Sequence, residues 1–162
     1  MTSKEQLRIL GIDPGFDRMG CAIVEGETLV YSTCILSKKT DAHAARLAHV
    51  GTALQKILAR YKPRLVALES LFFSKNQKTA MGVARSAGVA FYVAGIAGIP
   101  VVEYTPQEVK LALTGYGRAE KSGVEKMIRR IVRGGFPKKP LDDEVDAIAV
   151  ALTASADARV RR

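Results

Sequence analysis

Cysteine and histidine are scarce in this chain, with two of each among 162 residues. Cys21 and Cys34 have no metal-ligand spacing and no cysteine-rich surroundings. That argues against a zinc module and against a disulfide scaffold, and two reduced thiols in a cytoplasmic protein are expected. Acids are few as well: 16 Asp and Glu face 25 Lys and Arg, a net charge of +9. Such a balance favours a polyanionic partner, either nucleic acid or an anionic membrane surface. Long apolar runs are missing. Met1 to Gln6 is polar and no extended apolar region follows, so no secretory signal is expected. The uncharged stretch from Ser86 to Val102 is slightly short for a membrane span and breaks at Gly98-Ile99-Pro100, so no membrane crossing is expected. Repeats, low-complexity segments and domain linkers are absent too. With 48% apolar residues a disordered chain is excluded. A single domain over residues 1–162 is expected, with 1–6 and 157–162 flexible.

What is present begins with Arg8-Ile9-Leu10-Gly11-Ile12-Asp13-Pro14-Gly15. A short apolar run stopped by Pro and Gly reads as a buried strand ending in a turn. Gly20 to Glu25 and Leu29 to Leu36 read as two further strands, and short turns between the three predict an antiparallel meander. Thr40-Asp41 is expected to cap a helix whose apolar stripe is Leu47, Val50, Leu54, Ile57, Leu58 and Tyr61. Arg64 to Glu69 is a fourth strand, and the small-residue segment from about Thr79 to Ala97 a second helix. Val101 to Tyr104 is a fifth strand. Thr105-Pro106-Gln107-Glu108 is a capping box with Pro at the first helical position, and Ser122-Gly123-Val124-Glu125 reads as another. A last helix runs from Asp142 towards Ala156, with Val145, Ile148, Ala149 and Leu152 as its core face, and a basic tail follows. Three strands followed by alternating helices and strands predict an α/β fold with a mixed five-stranded sheet flanked by helices.

Asp13 and Glu69 each end an apolar strand. If those strands are parallel neighbours, both acids emerge at the carboxyl edge of the sheet, where open α/β sheets bind ligands. On the last helix Asp143 and Asp146 are one turn apart, and Asp142 and Asp146 also share a face, so geometry alone leaves that pair open. Acids in a first helical turn commonly serve the helix dipole. Asp146, beside the apolar stripe, is harder to explain that way. Clustered carboxylates with no His or Cys partner suit Mg²⁺ or Mn²⁺, and two such ions can activate water and stabilise the leaving oxygen of a phosphodiester. Carboxylates for metal on a strongly basic chain are the requirements of a metal-dependent nuclease.

Five segments taken together carry a resemblance. Gly11-Ile12-Asp13-Pro14-Gly15, Ala67 to Asn76, Gln107-Glu108-Val109-Lys110, Ala119-Glu120-Lys121 and Asp143 to Ala149 are similar, in order and spacing, to the RuvC family of Holliday junction resolvases. The resemblance implies a ribonuclease H-like fold, a bacterial homodimer and Mg²⁺-dependent resolution of four-way DNA junctions by paired symmetric nicks in recombination and repair. It implies Asp13, Glu69, Asp143 and Asp146 as catalytic metal ligands for two Mg²⁺ ions per subunit, with Mn²⁺ as a substitute. It implies DNA contacts at Phe72, Phe73, Lys75, Lys110 and Lys121, with Phe72 at the junction centre. Partnership with the RuvA and RuvB branch-migration proteins is a family expectation.

Three rivals remain at this stage. An actin-like ATP-binding protein shares the first phosphate-loop pattern, but no second Asp-x-Gly loop is present. A ribonuclease H-like nuclease acting on structured RNA is the main alternative. A binding-only architectural protein explains the charge and leaves the acids unexplained.

Overall fold

The computed structural model describes residues 7–70 and 77–160. Five strands, β1 (Arg8–Asp13), β2 (Arg18–Glu25), β3 (Thr28–Leu36), β4 (Leu65–Glu69) and β5 (Val101–Tyr104), form one sheet in the order β3-β2-β1-β4-β5. β1, β2 and β3 form the expected antiparallel meander, while β4 joins β1, and β5 joins β4, in parallel. The sheet is therefore mixed.

Among the described residues five helices cover its faces: α1 (His43–Tyr61), α2 (Gln77–Ile96), α3 (Pro106–Thr114), α4 (Lys121–Ile131) and α5 (Asp142–Val160). The strand period of two divides the side chains. Leu10, Ile12, Val66 and Leu68 pack with α1 and α2, while Ile9 and Ala67 pack with α3, α4 and α5. Ile9, Leu10 and Ile12 are almost completely buried. At about 1.5–3 kcal/mol each, they hold the strand end in place against the cost of desolvating Asp13.

Several helix boundaries differ from those read in the sequence. Thr40 and Asp41 do not cap α1. The chain turns there, with the Asp41 N–H donating to the Lys38 carbonyl, and the N-cap is Ala42 without a side-chain bond. The buried stripe of α1 includes Arg46, while Leu47 is half-buried. α4 opens at Lys121 with Glu120 as N-cap, so Ser122 lies inside the first turn and forms no capping box. The box at Thr105 and Glu108 does form, and Gly115 closes α3 at φ 74°. α5 extends to Val160, past the expected end, and is buried on nearly every side from Ala147 to Ser155 rather than along one stripe. It is seated on β1 and β2 and flanked by α3 and α4.

That seating depends on two glycines. A Cβ at Gly11 would strike the Ala147 carbonyl and lie 2.7 Å from Ala151 Cβ. A Cβ at Gly20 would strike the Asp143 carbonyl. Two bare strand positions thus let α5 lie against the sheet and carry its first-turn acids to the end of β1.

The Thr79–Ile96 stretch of α2 is long and apolar enough to cross a membrane by length and composition. One side of it, with Ala87, Ala90, Val93 and Ala94, is buried in the core beside α1.

Candidate active site

Ile12 pairs with Leu68 in the parallel β1–β4 register, which puts Asp13 and Glu69 side by side as the strands end. By strand alternation both acids are on the α5 side of the sheet, with Ile9 and Ala67. Burial, and then Glu69, Asp146 and Asp143 in that order, push the Asp13 carboxyl up to about 8. Glu69 rises to about 7, through burial first and then the charge of Asp146. Asp146 is raised as well, chiefly by burial, against the pull of Lys121. No ion pair among the described residues neutralises Asp13 or Glu69.

The two candidate acids of the first turn differ in exposure. Asp142 is 78% exposed, whereas the Asp143 side chain is only 18% exposed. Asp143 turns inward beside β2, where Arg18 Nη2 lies 3.0 Å from its Oδ2. That oxygen is buried and has no hydrogen-bond partner, because the Arg18 contact lacks hydrogen-bond alignment.

Lys121 opens α4, where a cation works against the helix dipole. Acids account for its place there. Its Nζ donates to Asp146 Oδ2 at 3.0 Å and lies 3.5 Å from Asp142 Oδ2. Burial draws the Lys121 ammonium down, but the two aspartates outweigh it and hold it above its usual range. A cleft of about 190 Å³ gathers Glu69, Lys110, Lys121 and Asp146 with Pro106 and Val124. Lys110 is half-buried and lines this cleft.

The turn after Asp13 is held from two sides. Ser86, fully buried on α2, donates to the Gly15 carbonyl at 2.9 Å. Arg46 stacks over the Phe16 ring at 3.9 Å and donates to Asp17 Oδ1, the Phe16 carbonyl and Ser37 Oγ. Sequence reasoning missed Arg46 and Arg18. The available signal for Arg46 was a charged residue one turn before Val50 on an otherwise apolar stripe. Phe72, Phe73 and Lys75 lie outside the described residues.

The donors are carboxylates alone, the set that hard divalent cations take. Their mutual repulsion and the orphaned Asp143 oxygen fit such an ion. Among the described residues no three metal-ligating side chains are drawn together closely enough to form a ready-made cage. A cation bound here would have to draw them together.

A family model for "Crossover junction endodeoxyribonuclease RuvC" matches residues 9–154. The chain belongs to the RuvC family. The family's relative from Moorella thermoacetica is 43% identical over 150 residues, covering 89% of this chain and 88% of that one. The RuvC of Salinispora arenicola is 40% identical over 151 residues, covering 90% of this chain and 86% of its own. Thermus thermophilus RuvC, solved in complex with a Holliday junction substrate, superposes with a TM-score of 0.90 at 30% identity over 96% of each chain. The fold is therefore the ribonuclease H-like fold of RuvC, and the enzyme class is crossover junction endodeoxyribonuclease, metal-dependent as the family is. None of these matches supports the structured-RNA alternative.

Proposed function

We propose that this chain resolves four-way DNA junctions by paired symmetric nicks during recombination and repair, with Asp13, Glu69, Asp143 and Asp146 holding two Mg²⁺ ions, for which Mn²⁺ can substitute. The observation that carries the reading is the parallel register at Ile12 and Leu68, which sets Asp13 and Glu69 side by side and facing Asp146. When bound, the ions supply Lewis-acid activation of water and neutralise charge on the phosphodiester. Burial and neighbouring carboxylates raise the Asp13 and Glu69 carboxyls, and bound cations would favour their ionised forms. Lys110 and Lys121 line the same cleft and hold the backbone phosphate beside the acids. Phe72, Phe73 and Lys75, on the segment after Glu69, contact the junction, with Phe72 stacking on an unpaired base.

A homodimer presents two sites to opposing strands. The exposed side of α2 supports it: Met81, Tyr92 and Ile96 share that side and are 58%, 67% and 57% exposed, an apolar surface suited to a second copy. RuvA and RuvB are the expected partners on the DNA. The location is the bacterial cytoplasm, where Cys21 and Cys34, both free, stay reduced.

The test is cleavage of a mobile four-way junction against linear duplex, with Mg²⁺ or chelator, for wild type, Asp13→Asn and Asp146→Asn. Paired nicks confined to the junction, lost with chelator and in both variants while junction binding persists, support the reading. Full cleavage by Asp13→Asn in Mg²⁺ would sink the site assignment. Equal cutting of duplex would sink the substrate.

A further inference from the structure

Arg18 is the first residue of β2 and stands beside the start of α5. Among the described residues its ion-pair partner is Asp143, not the neighbouring Asp17, which Arg46 and Lys39 already engage. The Asp143 side chain is 18% exposed and the Arg18 side chain 48% exposed. Both line a cleft of about 420 Å³ walled by Phe16 and Thr79, separate from the cleft that holds Lys110 and Lys121. The acids are thus divided. Glu69 and Asp146 open onto the lysine cleft, and Asp143 opens onto the other, covered by a guanidinium. Among the described residues no cage is formed ready-made, and Asp143 is the acid that acts least on Asp13 of the three around it.

We propose that Arg18 is a positioning residue that holds Asp143 in reserve: its guanidinium lies against Oδ2, and an ion must displace it to recruit Asp143. Arg18 therefore weakens one of the two ion sites. This rests on the reading of Asp143 as a ligand. A guanidinium and a divalent cation compete for the same buried oxygen, which has no other partner. The guanidinium is half exposed and the contact lacks hydrogen-bond alignment, so its grip is modest and an ion can overcome it. The displaced guanidinium remains on the wall of an open cleft beside the site.

The test is Mn²⁺ binding to the full chain without DNA, read as free Mn²⁺ by electron paramagnetic resonance, for wild type, Arg18→Gln, Asp143→Asn and the double variant. Arg18→Gln is expected to tighten the weaker Mn²⁺ site about three- to tenfold. In the Asp143→Asn background the same change is expected to gain nothing, because nothing is left to hold. Arg18→Lys keeps the charge and should stay near wild type, and Arg18→Met replaces Arg18→Gln if that variant misfolds. Unchanged or weaker Mn²⁺ binding in Arg18→Gln overturns the proposal. An equal gain with and without Asp143 also overturns it, since that is a general loss of positive charge. If Asp143→Asn alone leaves both Mn²⁺ sites intact, the ligand assignment fails and the proposal fails with it. If Asp143→Asn loses a site while Arg18→Gln gains nothing, only the role of Arg18 fails.

Discussion

Asp13 and Glu69 leave the sheet side by side, at the ends of the parallel neighbours β1 and β4. Both are desolvated, and the more buried Asp13 ionises against the charge of Glu69. Desolvation and mutual repulsion therefore disfavour ionising the pair together.

That repulsion fixes the sign of a pH effect. The Asp13 carboxyl is near 8 in the folded chain against 3.8 for an unperturbed one, so the folded state binds the extra proton between those values. Stability in chelator is complete below the unfolded value and falls as pH rises through about 8. Asp13→Asn should flatten this fall and be more stable than wild type at pH 8.5 by roughly 1–3 kcal/mol. Urea denaturation at pH 6 and 8.5 with chelator checks it. A variant no more stable than wild type at pH 8.5 would contradict the burial of an unpaired charge.

Lys121 bridges Asp146 and Asp142 and also faces Glu69. Lys121→Ala should lower single-turnover junction cleavage by roughly 100-fold with a smaller loss in binding. A loss confined to binding would make Lys121 a surface contact only.

Gly11 and Gly20 admit α5, so Gly11→Ala should cost roughly 2–4 kcal/mol and lower cleavage with it, through displacement of Asp143 and Asp146. Gly123 on α4 has nothing within 4 Å of an added Cβ. Gly123→Ala should be neutral or stabilise by about 0.5–1 kcal/mol. Thermal melts of the two variants separate crowding from helix propensity.

Arg46 is 5% exposed and joins α1 to the turn that carries Gly15 and Phe16. Arg46→Ala removes the donor to Ser37 Oγ and Asp17 Oδ1, although Ser37 still donates to the Phe16 carbonyl, and should cost roughly 2–4 kcal/mol. Arg46→Lys should recover less than half, because one ammonium cannot reproduce the fork that reaches several acceptors and stacks on Phe16. Denaturation midpoints rank the three proteins, and full rescue by Lys would reduce the role of Arg46 to its charge.

Local chemistry wrote much of this protein legibly. Apolar runs that stop at Pro, Gly or an acid marked β1 and β4, and the Thr105–Glu108 box marked α3, because a strand end and a capping box are made by residues adjacent in the chain. The acids at strand ends were visible for the same reason. Helical spacing did not choose between Asp142 and Asp143; the family resemblance pointed to Asp143, whose inward placement is a matter of packing. That placement depends on how far α5 sinks onto Gly11 and Gly20, and that contact joins segments at opposite ends of the chain. Arg46 in the core, Arg18 on Asp143 and Lys121 between two aspartates are likewise long-range pairings. The sequence by itself determined which segments form strands and helices and which carboxylates stand at their ends. Only the packing of α5 on the sheet decided which acids face one another and which cations face them, because a buried charge is placed by the groups that surround it and not by its neighbours in the chain.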